Sequence, residues 1–141
     1  MIKITNLTNF KRPGWCPEKS FSQVAKKVLL GENKRTEIIS LALVDKGEMR
    51  KLNKKFRKKD KATDVLSFNI DEKDYLGEII ICPEVAIENA RKYGVPEKEE
   101  MMKIFVHGIL HLCGYEHEKG KKQAEIMESK EKFYLIGQKH A

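Results

Sequence analysis

The spacing of hydrophobic residues changes period several times along the chain, and each change marks an element. Ile2 to Leu7 alternates apolar and polar positions as a strand does. Phe21, Val24, Ala25, Val28 and Leu29 recur at helical spacing behind Ser20, a residue type that caps helix amino termini. Ile38 to Val44 is a β-branched and apolar run suited to a buried strand, and Asp45 then predicts the cap of a helix carrying Met49, Leu52, Asn53 and Phe56. Val65 to Phe68 and Glu78 to Cys82 read as short strands separated by a polar turn, Asp71 to Asp74. Pro83 fits the start of a helix through Val85, Ala86, Ala90 and Tyr93, stopped by Gly94 and Pro96. Two further helices are predicted, from Glu97 to Cys113 with Gly114 ending it, and from Lys119 towards Gln138. This order of elements implies an α+β or α/β domain in which a small mixed β-sheet packs on helices.

Composition narrows the class. A length of 141 residues with 40% hydrophobic and 35% charged residues favours one globular domain over residues 1–141, with no repeat or low-complexity tract to divide it. The longest mostly apolar stretch, Met101 to Cys113, falls well short of the roughly 20 residues that cross a bilayer, so no membrane partner is expected. Met1 to Thr5 lacks the basic and apolar segments of a secretory signal, and a cytoplasmic location is the expectation. Cys16, Cys82 and Cys113 lie far apart without a C-x-x-C pair, which argues against a disulfide framework or a thiolate zinc knuckle.

Charge is concentrated rather than spread. Between Lys46 and Lys61 there are nine basic residues against Glu48 and Asp60, a surplus that equals the whole formal net charge of +7. Such a stretch is either a solvated helix face running into a basic loop or a surface that contacts phosphates, and nucleic acid is the first partner to consider.

The chemistry is carried by histidines. His107 and His111 are four residues apart, so on a helix they share a face and two imidazoles can grip one cation. Gly114 can turn the chain back and let His117 approach the same point as a third nitrogen ligand, with one coordination position left open. An open position points to catalysis rather than structure. Three imidazoles and water suit Zn²⁺, although copper, nickel and iron also accept imidazole. The H-x-x-x-H-x-x-G-x-x-H spacing is that of metzincin peptidases, whose glutamate base directly follows the first histidine. Gly108 occupies that place, which ranks a protease low. A glycine inside a helix implies either close packing of another backbone or space kept beside the metal for a bulky substrate.

At this point the sequence resembles the YbeY family of single-strand-specific, metal-dependent endoribonucleases. The resemblance rests on Asn53 to Phe68, similar to the family's N-x-x-x-R-x-x-x-x-x-T-D-V-L-S-F, and on His107 to His117, similar to H-G-x-L-H-L-x-G-Y-D-H. Leu76-Gly77-Glu78-Ile79 stands where the family usually has G-D-I, and Met127 and Glu131 stand where it has a methionine and a glutamate. Glu78 and Glu116 replace aspartates, so each carries its charge one methylene further out. The resemblance implies an α+β fold with a metzincin-like zinc helix, a cytoplasmic location, and action on the 3′ end of small-subunit (16S) rRNA and in ribosome quality control. Its partners would be single-stranded RNA and the small ribosomal subunit, with no DNA expected.

Residue by residue, the resemblance assigns one Zn²⁺ to His107, His111 and His117 and makes Arg57 a catalytic contact to the substrate. A guanidinium suits phosphate oxygens on its own chemistry, the alternative for Arg57 being a salt bridge to Asp60 or Asp64. Lys54, Lys55, Lys58, Lys59 and Lys61 are the expected RNA-binding lysines. Glu116, with Tyr115, is expected behind an imidazole, orienting it. Thr63 and Asp64 read as turn and cap residues, Met127 as core, and Cys113 as a poor ligand. Ser67 and Phe68 are expected on a strand beside the cleft, with Phe68 stacking on a base or packing in the core. The general base is left open between hydroxide on the metal, Glu116 and the substrate's 2′-hydroxyl. Two rival readings are a non-catalytic ribosome assembly factor with a structural metal and a different metal-dependent hydrolase.

Overall fold

The Ile38 to Val44 run predicted as a buried strand forms Ile38–Leu43 (β2), which lies inside the sheet with a neighbour on each side. Ile2–Asn6 (β1) and Tyr75–Ile81 (β4) pair with it in parallel, and Val65–Glu72 (β3) closes the outer edge antiparallel to β4, giving the order β1-β2-β4-β3. The structure, a computed structural model, describes residues 2–6, 18–34, 38–116 and 120–136. Its helices are Glu18–Gly31 (α1), Lys46–Arg57 (α2), Pro83–Tyr93 (α3), Glu97–Leu112 (α4) and Lys121–Leu135 (α5). A mixed sheet with helices on both faces is the α+β arrangement expected from the element order.

Side-chain alternation divides the sheet into two faces. Leu41, Leu43, Ile79 and Ile81 point into the main core with Phe21, Val24 and Val28 of α1 and with Phe105, Ile109 and Leu112 of α4. The rings of Phe21 and Phe105 meet edge to face at 5.1 Å. Ala42, Val44, Leu66 and Ile80 face the other way and pack on Met49 of α2. Asp45 caps α2 as predicted, accepting a hydrogen bond from the Glu48 N–H at 2.8 Å.

Two local expectations are corrected. Helix α1 begins at Glu18, so Ser20 is a buried residue inside it rather than its cap. The hairpin turn is only Lys73-Asp74, with Asp74 at φ 62°, and Asp71 and Glu72 continue β3. Those side chains are exposed, so their polarity is compatible with a strand and does not end it. Among the described residues no helix is long and apolar enough to cross a membrane.

Candidate active site

Helix α4 is the wall on which the site is built. Glu97, Glu99 and Glu100 occupy its first turn, where carboxylates complement the positive end of the helix dipole, and Gly114 at φ 103° turns the chain away after its last residues. One side of α4 is buried against the sheet and α1. The other presents Glu100, Lys103, Ile104, His107 and His111, spaced three or four apart, to a cleft of about 800 Å³. The opposing walls are Arg57 at the end of α2 and Lys59 just beyond it, Asp64, Val65, Ser67 and Asn69 on and before β3, Asn89 and Tyr93 on α3, and Glu131 on α5.

His107 and His111 converge. Their Nε2 atoms are 3.0 Å apart, and the rings stand nearly perpendicular with centroids at 4.6 Å. Two nitrogens bound tetrahedrally at the usual zinc distance lie about 3.3 Å apart, so this pair is close to the spacing a shared ion requires. Behind them, Glu131 Oε1 lies 2.5 Å from His107 Nδ1. A proton on Nδ1 donated to that carboxylate leaves the Nε2 lone pair directed at the cleft, the usual arrangement behind a metal-binding imidazole. His117 lies outside the described residues. Among the described residues no group of three histidine, cysteine or carboxylate side chains forms a metal site; the pair fits a metal, and a third ligand has to come from elsewhere.

Gly108 is explained by packing. A β-carbon there would come within 3.3 Å of Ile79 Cγ2 and Cδ1 and 3.5 Å of Val65 Cγ2. The position faces the sheet, so its small size lets α4 lie close on β3 and β4, and the reading as space for a substrate is set aside. Side chains rather than another backbone make that close approach.

Arg57 reaches the cleft because of how α2 ends. Lys58 adopts a left-handed conformation (φ 62°), and the buried Asn53 side chain donates to the Lys61 carbonyl at 2.9 Å, folding the basic loop back. The Arg57 guanidinium donates to the Ser67 carbonyl at 3.2 Å and lies 5.7 Å from the Phe68 ring. It makes no salt bridge with Asp60, which Arg50 holds through two hydrogen bonds of 2.7 and 3.3 Å. Lys59 lines the cleft; Lys54, Lys55, Lys58 and Lys61 are exposed and are not among the residues lining it. Phe68 packs towards the α2 face, edge-on to Phe56 at 5.2 Å, so the stacking role beside the metal is not the one its position supports. Glu78 lies on that same face by alternation and is not among the cleft residues, whereas Glu116 is.

Several partners were not legible in the sequence. Asn69 donates to the Leu112 carbonyl at 2.9 Å, fastening the edge strand to the end of α4. Glu32, just beyond α1, accepts from Tyr115 at 2.8 Å, from Lys130 at 2.9 Å and from the Tyr134 hydroxyl. Tyr115 thus ties the segment after α4 to α1 and α5. Burial alone would raise the Glu32 carboxyl pKa, but these donors outweigh it and hold the group below its ordinary value. Burial pushes the Asp64 carboxyl up against hydrogen bonds from the Val65 and Asp64 N–H groups. Glu100 is also raised by burial, with Asp64 and Glu131 adding repulsion and Lys103 opposing. Met127 is core, as expected.

The sequence and the fold are similar to those of known proteins. The family profile described as Endoribonuclease YbeY matches residues 6–137. A Persephonella marina protein named endoribonuclease YbeY is 39% identical over 116 residues, covering 78% of this chain and 76% of that protein. A Thermotoga maritima protein of the same name is 41% identical over 97 residues, covering 69% and 65%. The solution structure of a T. maritima protein superposes with a TM-score of 0.66 at 34% identity, covering 96% of this chain and 87% of that one. With a profile match across nearly the whole chain and that fold, the chain belongs to the YbeY endoribonuclease family.

Proposed function

We propose that this chain is a zinc-dependent, single-strand-specific endoribonuclease, a single domain that acts in the cytoplasm on the 3′ end of small-subunit (16S) rRNA and in ribosome quality control. The observation that carries the reading is the convergence of His107 and His111 Nε2 at 3.0 Å in a cleft that Arg57 also lines. The family names of its relatives support the substrate class. His107, His111 and His117 would hold the ion, which supplies positive charge and Lewis acidity at a phosphodiester when bound.

The chain's own residues do the rest. Glu131 orients the His107 ring and keeps its Nδ1 occupied, so the ring offers Nε2. Arg57 is held by the Ser67 carbonyl through one N–H, which leaves other donors of its fork for phosphoryl oxygens. Lys59 at the cleft and Lys54, Lys55, Lys58 and Lys61 beside it hold the strand electrostatically. Glu116 lines the cleft next to the histidine segment, where it can orient an imidazole or take a proton.

The test is cleavage of a labelled single-stranded RNA oligonucleotide by the wild type, His111→Ala and Arg57→Ala, with metal content measured on the same preparations. Stoichiometric zinc and cleavage in the wild type are expected, with zinc lost in His111→Ala, zinc kept in Arg57→Ala, and cleavage lost in both. Equal trace cleavage in all three, or RNA binding without cleavage by the zinc-loaded wild type, overturns the reading.

A further inference from the structure

The cleft extends past the histidines to a part that the metal and the basic loop leave unused. Along α4 the residues facing it run His111, His107, Ile104, Lys103 and Glu100, so Lys103 lies about one helical turn, near 6 Å, before His107. Tyr93, in the last turn of α3, also lines the cleft, and Gly94 to Pro96 joins it directly to the start of α4. Tyr93 is 63% exposed, so a ring that lines the cleft is also open to solvent and available to a ligand. Lys92 lies beside that ring, 5.6 Å from its centroid, and adds positive charge. Arg57 and Lys59 line the same cleft from the end of α2 and the loop after it, so basic groups reach it from more than one element.

We infer that Tyr93 and Lys103 form a nucleotide subsite of this cleft, in which a base of single-stranded RNA stacks on the Tyr93 ring and its phosphate meets Lys103. The inference rests on the endoribonuclease reading for its ligand class. Stacking on an exposed aromatic ring is how sequence-tolerant sites hold unpaired bases, because every base has a π-face, and one lysine per phosphate supplies the accompanying charge. A duplex cannot present a base this way without unpairing it, so the subsite favours unpaired strands. Asp64 and Glu100 lie deeper in the same cleft and repel phosphates, which directs the backbone towards Lys103 at the rim.

The test uses fluorescence anisotropy of a labelled single-stranded RNA with the full-length wild type, Tyr93→Phe, Tyr93→Ala and Lys103→Ala, and the cleavage rate of the same four proteins. Tyr93→Ala is expected to weaken binding about 5- to 160-fold, the range of a lost base–aromatic contact, with Tyr93→Phe close to wild type. Cleavage should show the loss in KM with kcat little changed. An RNA series with one abasic position moved along the strand should contain a member that wild type and Tyr93→Ala bind equally. Wild-type affinity in Tyr93→Ala, or Tyr93→Phe as weak as Tyr93→Ala, overturns the subsite while leaving the endoribonuclease reading intact if the wild type cleaves. Absence of cleavage with the Tyr93 effect on binding preserved sinks the enzymatic reading alone.

Discussion

Glu32 offers the sharpest physical test of how the site is held. Its carboxylate accepts from Tyr115, Lys130 and Tyr134, residues 83, 98 and 102 positions away, so Glu32→Ala releases three contacts at once. Hydrogen bonds to charged groups contribute about 1.5–3 kcal/mol each, but three on one carboxylate are not additive and partly exposed Lys130 is screened, so a loss of about 2–4 kcal/mol is expected. For 141 residues, the unfolding entropy near 2.1 cal/mol/K per residue converts that to a fall in Tm of roughly 7–14 °C. The pH dependence follows from the lowered Glu32 pKa. Its stabilisation is complete above the ordinary value of 4.5 and is lost as pH falls through the lower folded-state value. Glu32→Gln does not titrate, so the Tm gap between wild type and Glu32→Gln should be wide at neutral pH and close below pH 4.5. Tyr134, raised to about 12 by burial and by Glu32, predicts the opposite limb: stability falls as pH rises from 10 towards 12. Thermal melts followed by circular dichroism across pH read both limbs. A Glu32→Ala protein melting within about 2 °C of wild type, or a gap that stays constant through the acid limb, refutes the reasoning.

Three further outcomes are expected. Glu131→Ala removes the acceptor on His107 Nδ1 and should weaken zinc binding about 10- to 100-fold in a chelator competition; unchanged zinc affinity would mean the contact is incidental. Replacing Lys54, Lys55 and Lys58 with alanine should reduce the slope of log affinity for single-stranded RNA against log salt by about 0.7 per phosphate contact removed, whereas an unchanged slope would place the strand elsewhere. At Gly77, buried in β4, a β-carbon would overlap the Phe68 carbonyl and approach Leu112 Cδ2 at 2.7 Å, so Gly77→Ala should destabilise by about 1–3 kcal/mol or more, checked by urea unfolding.

Much of the fold was written in local pattern. A continuous β-branched and apolar run placed β2, the Asp45 cap and the Pro83 and Gly94 boundaries placed α2 and α3, and four-residue spacing put His107 and His111 on one face of α4. These are short-range signals, set by backbone geometry within one or two turns, and so they survive without knowledge of the rest of the chain. Ser20 failed because two additional residues, Glu18 and Lys19, were able to continue the helix, and a capping residue type does not exclude a helical position.

What tertiary structure decided was which distant groups meet. Nothing local to Glu131 or Glu32 announces that one would back His107 from 24 residues away and the other would gather three donors across the domain. Arg57 had two carboxylates within reach along the chain, yet Arg50 took Asp60 and the fold turned Arg57 over β3 into the cleft. Gly108 needed the sheet beneath it to be understood, since only the approach of Ile79 and Val65 shows what its missing side chain makes room for. Periodicity reports which face of an element is apolar; the partner on the other side of that face is chosen by packing of the whole chain, and the cleft exists only where those choices leave space.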